Sequence, residues 1–465
     1  MYIKKRPEEQ EFENFYRPFY GKMDWNNRWI KMTNMIPWEI LEERYAKHFK
    51  AIGRVAKKVQ MAIGALIIQQ RFGYSDEETV AQIIENAYFQ YFIGLSEYQN
   101  KKPFDSTMMV YFRKRVTAEM LEEVNEILFT DKKKPAKKSD DDKKSNEPKN
   151  KGKLISDATC IPADIKYPTD LNLLNEGREK LEKMIDVCYA GQEKPRTYRR
   201  IARRDYLRAA KNKKLSDQKR KQAIRKQLNY VNRDLGYLKN VDMNNLLEKD
   251  IKEMNIIKRL YAQQKEMFGK GTHSIPNRIV SISQPHIRPI VRGKAGADVE
   301  FGAKISISLV NGYAFTDRIN WENYNEGCML QEQIENYKRR FGYYPKAVIV
   351  DKIYRTRENQ NYCKTRGIRL SGPPLGRPKI DEKERLKQKK QEKEDVSIRN
   401  AVEGSFGTGK RKYGLEMIMT KLPQTSETVI VLNFLLMNLE KKLRLLLRRI
   451  FNWIFFKKIE AWACV

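Results

Sequence analysis

Three carboxylates and two cations stand at spacings that could do chemistry. Asp157 lies inside a short apolar run, LISDATCIPADI, over residues 154–165. Asp351 closes a second apolar run, AVIVD, and Glu403 falls in IRNAVEGSFGTGKRKYG. Arg399 precedes Glu403 by four residues and Lys410 follows it by seven. At about 100° per residue, these three share one helical face. Strand ends and helix faces are rigid mounts, which a metal site needs. Two Mg²⁺ ions about 4 Å apart, held by three carboxylates, can activate water and stabilise the leaving oxygen in an in-line displacement at phosphorus. Arg399 and Lys410 would then hold phosphates. The plainer reading is a salt-bridged amphipathic helix beside an ordinary strand-end acid. Asp164, seven residues after Asp157, is the rival for the first acid, but it lies towards the strand end rather than inside it.

Other chemistries fit less well. With three histidines and five cysteines, none in a CxxC pair, neither a zinc site nor a disulfide framework is expected. No GxSxG elbow is present. Gly404 to Lys410 satisfies GxxxxGK, but Arg411 takes the place where a phosphate-binding loop needs Ser or Thr for Mg²⁺, and no apolar strand precedes it. No nucleotide cofactor is therefore expected.

The 465 residues carry 92 Lys and Arg against 59 Asp and Glu, a formal net charge of +33. That excess, spread over most of the length, points to a polyanionic partner, nucleic acid before membrane. The N-terminus lacks the apolar core of a signal peptide. The apolar C-terminal run is broken by Glu440, Lys441, Lys442, Arg444, Arg448 and Arg449, so it reads as a buried or partner-facing amphipathic helix rather than a membrane span. A cytoplasmic location is expected.

The elements that must position the acids follow from periodicity and punctuation. Residues 1–130 read as a separate all-helical domain with a capping box at Ser75 and a basic cluster at Arg113, Lys114 and Arg115. Short helices ending in such a cluster suit a DNA-reading helix-turn-helix, with Arg113 and Arg115 as DNA contacts. Residues 131–153 read as a flexible basic linker. Residues 172–268 read as a basic helical hairpin inserted after the first strand. Strands are expected at IVSIS, IRPIV, VEFGAKISISLV and GYAFTDRINW, the last two joined by Asn311-Gly312, a strong hairpin signal. A helix, the AVIVD strand and a late helix follow. This is an α/β plan with a mixed sheet, not a doubly wound one. The acid-bearing domain spans 154–425, and 426–465 is a C-terminal apolar and basic helix.

The segments LISDATCIPADI, VEFGAKISISLVNGYA, AVIVDKIYRTRENQNYCKTRGIRLSGPPLGRP and IRNAVEGSFGTGKRKYGLEMIMTKL together resemble the DDE transposases of bacterial insertion sequences, which share an RNase-H-like catalytic core. ENAYFQYFIGL and FDSTMMVYFRKRV resemble the N-terminal domain that this group often carries. The resemblance implies that Asp157, Asp351 and Glu403 are the catalytic acids and hold two Mg²⁺ or Mn²⁺ ions. Arg399, Glu403 and Lys410 fit the family pattern Y-x2-R-x3-E-x6-K, with Val396 in the tyrosine place. It further implies hydrolysis at element ends followed by 3′-OH strand transfer into target DNA. Double-stranded DNA, as terminal inverted repeats and target, would be the partner, and a homodimer would pair the ends. The alternative is a non-catalytic DNA-binding protein derived from a transposase.

Overall fold

The computed structural model describes residues 23–130, 150–212, 214–239, 241–294, 297–372 and 382–463. The chain forms two units. One comprises the chain up to Ile161, Ile305–Ile319 and everything from Tyr324; the other comprises Pro162–Lys304 and Asn320–Asn323.

The first unit opens with seven helices: α1 (Arg28–Met35), α2 (Trp38–Ala46), α3 (Val59–Phe72), α4 (Asp76–Glu85), α5 (Ala87–Phe92), α6 (Met108–Arg115) and α7 (Ala118–Phe129). Their ends are set by local chemistry. Pro37 stands at the head of α2, and Gly73 ends α3 in the left-handed region. The Ser75 hydroxyl accepts from Glu78 N–H at 3.0 Å. The stretch TVAQIIENAYFQYF, expected as one helix, is two, because Asn86 leaves helical geometry and caps α5 through its side chain.

β1 (Lys153–Pro162) follows. The expected linker lies largely in 131–149, outside the described residues. The second unit then contains four helices, α8 (Asp170–Cys188), α9 (Arg199–Lys211), α10 (Asp217–Lys239) and α11 (Glu248–Lys270), rather than a hairpin. They have their own core, in which Leu181, Ile185, Val231, Leu238, Ile257 and Leu260 are buried. IVSIS, expected as a strand, is irregular; its Ile279 and Ile282 are buried in that helical core instead. β2 (Arg288–Lys294) pairs antiparallel with the first half of β3 (Ala297–Val310).

The second half of β3 returns to the first unit. Asn311 and Gly312 have φ of +52° and +76°, the turn expected of that dipeptide, and β4 (Tyr313–Asn320) pairs back on β3. After α12 (Leu330–Phe341) come β5 (Ala347–Ile349), α13 (Arg357–Thr365) and β6 (Arg369–Leu370). Within this unit the strand order is β4-β3-β1-β5-β6, with β1, β5 and β6 parallel. α14 (Glu382–Lys412) is one helix of 31 residues where a charged segment and a separate short helix were expected. α15 (Pro423–Ala463) closes the described chain.

The N-terminal helices, expected as a separate domain, pack together with the last helix. Helices α1–α7 and α15 share one hydrophobic core, which includes Trp29, Leu66, Phe92, Phe112, Leu432 and Leu439. α15 packs its apolar side chains against α1, α3, α6 and α7. Polar groups fix its register. Asn438 donates to Asn125 Oδ1 at 2.8 Å and to the Ala314 carbonyl at 2.7 Å. Glu440, which interrupts the apolar run, pairs with Arg71 and accepts from Tyr413 Oη at 2.6 Å. No described helix is long and apolar enough to cross a membrane.

One acid of this unit is placed against its own charge. Burial pushes Glu122 on α7 up to about 7, and the charges of Asp317, Glu126 and Glu119 add to the rise while Arg340 opposes it. A carboxyl more basic folded than unfolded stabilises the fold only while protonated. That contribution is complete below about pH 4.5 and is lost as pH rises through about 7. Glu122→Gln should therefore raise stability at pH 8 by about 1–3 kcal/mol and leave it unchanged at pH 4. Urea melts of both proteins across that range check this; equal gains at both pH values would show that the effect is not the carboxyl's charge.

Candidate active site

Sheet register brings the first two acids level. Lys153, Leu154 and Ile155 of β1 face Ala347, Val348 and Ile349 of β5 in parallel. Two residues further on, the same register sets Asp157 beside Asp351. Adjacent strands lie about 4.8 Å apart and side chains alternate, so both acids leave the sheet on one face. Asp351 stands just past the end of β5 in extended geometry, where its carboxylate accepts from Lys352 N–H at 2.7 Å and caps the 3₁₀ turn Lys352–Tyr354. Asp157 accepts from Ala158 N–H at 2.8 Å. Asp164 lies beyond the end of β1 and is exposed.

α14 packs on β5 and delivers the third acid. Arg399 Nη1 lies 2.8 Å from Asp351 Oδ1, and its Nη2 lies 3.6 Å from Glu403 Oε1. One guanidinium therefore ties the second acid to the third. Lys410 follows Glu403 by seven residues, on the same face of α14. Val396, in the place of the family's tyrosine, is exposed. The segment that reads as GxxxxGK lies wholly inside α14, so its backbone N–H groups are in helical bonds and form no phosphate cradle. Its glycines do different things: Gly404 faces open space, whereas a Cβ on Gly409 would meet Leu415 at 2.8 Å, so Gly409 serves close packing.

The electrostatics single out Asp157. Burial pushes its carboxyl up to about 6, and the negative charges of Glu326 and Asp351 push the same way, against the Ala158 N–H and Arg399. Carboxylate oxygens are hard donors, the kind that suits a divalent cation such as Mg²⁺ or Mn²⁺. Among the described residues no three acids stand close enough together to share one ion; what Asp351 and Glu403 share is the Arg399 guanidinium.

Sequence reasoning missed Glu326 and Tyr354. Glu326 opens the 3₁₀ turn Glu326–Met329, capped by the Asn325 side chain accepting from Gly327 N–H at 3.0 Å. That turn is held against Lys352–Tyr354 by Asn359, whose Nδ2 donates to the Gly327 carbonyl at 2.7 Å and the Tyr354 carbonyl at 2.8 Å. The approach is so close that a Cβ on Gly327 would stand 2.7 Å from the Ile353 carbonyl oxygen. Glu326 thereby comes near Asp157 and Tyr354. Tyr354 is fully buried with its hydroxyl beside that of Ser156, which donates to the Ile307 carbonyl at 3.2 Å. The one local signal for Glu326 is the Asn-x-Gly cap around it.

The two cations expected to face DNA at the end of α6 are engaged within the protein. Arg113 is bonded to both oxygens of Asp76, at 2.8 and 2.6 Å, and to Gln69 at 3.0 Å, tying α6 to α3 and α4. Arg115 lies 4.7 Å above the Phe49 ring and 5.5 Å from Tyr111. Lys114 is the exposed member of the cluster.

Comparisons with known proteins match two parts of the chain. Residues 348–440, which contain Asp351, Arg399, Glu403 and Lys410, match the family described as Transposase DDE domain. Residues 18–115 match the family described as Transposase domain (DUF772). The uncharacterized protein ORF8 in the nfe locus of Rhizobium meliloti is 27% identical over 185 residues, which are 39% of this chain and 82% of that protein. No solved structure matches the chain. Two families of transposase domains thus match in sequence order, one over the N-terminal helices and one over the segment that carries Asp351 and Glu403.

Proposed function

We propose that the chain catalyses DNA transposition of an insertion sequence through an RNase-H-like core, with Asp157, Asp351 and Glu403 as its catalytic acids. The observation that carries this reading is the meeting of Asp351 and Glu403 on Arg399, with Asp157 level with Asp351 in the parallel sheet. Two Mg²⁺ or Mn²⁺ ions would be held by the three acids and would supply water activation and charge stabilisation at the scissile phosphate. Arg399 keeps Asp351 and Glu403 from splaying apart. Arg399 and Lys410 bind substrate phosphates as that charge arrives. Phosphodiester hydrolysis at the element end leaves a 3′-OH, which attacks target DNA in a transesterification that needs no nucleotide cofactor. The substrate is double-stranded DNA, at terminal inverted repeats and target. A homodimer acting in the bacterial cytoplasm, at the nucleoid, would pair two ends.

Cleavage of DNA carrying the element's own ends, with Mg²⁺ or Mn²⁺, tests the reading. Asp351→Asn and Glu403→Gln should each cut nicking by at least about 10³-fold while leaving end binding intact. Full activity in either variant sinks the site assignment. A wild-type chain that binds ends but never nicks them would instead be a DNA-binding derivative of a transposase.

A further inference from the structure

Helix α9 carries a charge pattern that neither folding nor the acid site uses. Its sequence, RRIARRDYLRAAK, holds six cations and one acid. Its inner face is accounted for. Ala202 is buried, with its carbonyl accepting from Gln227 Nε2 at 3.1 Å; Asp205 pairs with Lys226 at 3.1 Å; and Tyr206 donates to Asn172 at 2.9 Å. Arg199 pairs with Asp186 at 2.8 Å.

The outer face is different. Arg200, Arg203, Arg204, Arg208 and Lys211 are all exposed, and none has an ion-pair partner among the described residues. At about 100° per residue they fall within one sector of the helix, spread over roughly 16 Å of its length. With Leu207 they alone line a shallow groove of about 460 Å³.

A merely solvated face is built otherwise. In the same unit, α11 alternates charge and closes Glu248–Lys252 and Glu266–Lys270 pairs at i, i+4. On α9 the i, i+4 neighbours Arg200–Arg204 and Arg204–Arg208 repel, which costs a few tenths of a kcal/mol each. Arg200 also stands in the first turn, where the helix dipole disfavours cations. Four of the five cations are arginines, whose planar forks match phosphate oxygens. A helix that sets such a row against its own stability is shaped for a polyanion laid along it.

We infer that the outer face of α9 is a binding track for the phosphate backbone of duplex DNA. The track rests on the reading that this chain acts on DNA, and adds to it a sequence-independent grip outside the acid site. Each neutralised phosphate steepens the dependence of log K on log salt by about 0.9.

The test uses the full chain and a 40-base-pair duplex of arbitrary sequence, with affinity followed by fluorescence anisotropy over a range of salt. Substituting Arg200, Arg203, Arg204 and Arg208 by Gln together should make the slope shallower by about 3 to 4. The pair Arg204→Gln and Arg208→Gln, the milder change should the fourfold variant not fold, should lower it by about 2. Thermal stability should hold or rise, since repulsion is removed. Lys249, Lys258 and Lys265 on α11, all exposed, provide a control that removes three charges, between the two α9 variants, and their replacement by Gln should change the slope by less than about 1. A slope unchanged in the α9 variants overturns the track, as does a control that falls equally. Variants that bind DNA as wild type does but lose wild-type binding to anionic vesicles would also overturn it. A wild-type chain with no salt-dependent affinity for duplex would overturn the DNA reading itself.

Discussion

Asp157→Asn should abolish strand cleavage and, in the same protein, raise the stability of the metal-free fold. The two effects share one cause. Asp157 is the acid whose ionisation the protein resists: burial holds its carboxyl at about 6, with Glu326 and Asp351 adding to the cost. In chelator at pH 8 the wild-type carboxylate is charged against that cost, and an amide of the same shape removes it. Raising the carboxyl to about 6 corresponds to roughly 1–3 kcal/mol. Since the folded-state value is raised, the advantage of the amide is absent below about pH 4 and grows as pH rises through about 6. Nicking of element-end DNA should fall by at least about 10³-fold, because an amide carries no charge to complete the acid set. Denaturation in EDTA at pH 4 and pH 8 reads the stability, and a variant less stable than wild type at pH 8 would refute the electrostatic account. Asp164→Asn serves beside it, with activity retained as the expected outcome.

Arg340→Met should be among the most damaging substitutions remote from the acids. Arg340 on α12 is 4% exposed. Its Nη1 lies 2.7 Å from Asp317 Oδ1 on β4, its Nε lies 2.9 Å from Glu126 Oε1 on α7, and its Nη2 donates to the Thr316 carbonyl at 3.3 Å. Asp317 is wholly buried, accepting also from the Ser308 hydroxyl and from Gln333. Burial drives its carboxyl upward, and Arg340 is the charge that opposes this. Removing one member of a buried pair strands the other, at about 3–5 kcal/mol. Adding Asp317→Leu to Arg340→Met should recover much of that loss, because the stranded charge goes with it. Urea denaturation of the single and double variants decides the matter. A single variant within about 1 kcal/mol of wild type would mean that water reaches Asp317 and the pair is not buried in solution. Nicking at low temperature should survive in the double variant, since neither residue touches the acid site.

How far the site is legible in the sequence can be followed residue by residue. Asp351 is legible because an apolar run ending in an acid is local information. Glu403, Arg399 and Lys410 are legible because their spacing is helical, and α14 bears that out. The hairpin at Asn311-Gly312, the Ser75 cap and the Gly73 stop are likewise written within a few residues of where they act. IVSIS misleads because a short apolar run satisfies a strand and a buried irregular segment equally well. The four helices α8–α11 read as a hairpin because, although Gly191 and Pro195 punctuate the first break, the other two are polar turns with neither Gly nor Pro.

The sequence by itself determined where the candidate acids stand, the helical face shared by Arg399, Glu403 and Lys410, the net positive charge and the mixed α/β plan. Each depends on residue type and near spacing, which is where period and capping act. Only the tertiary structure decided that Asp157 stands level with Asp351, that Arg399 joins Asp351 to Glu403, and that Glu326 approaches Asp157 through a turn held by Asn359. It also decided that α15 completes the core of the N-terminal helices, and that Arg113 pairs with Asp76. These contacts join residues far apart in the chain, and their energies depend on burial and register, which no local pattern encodes.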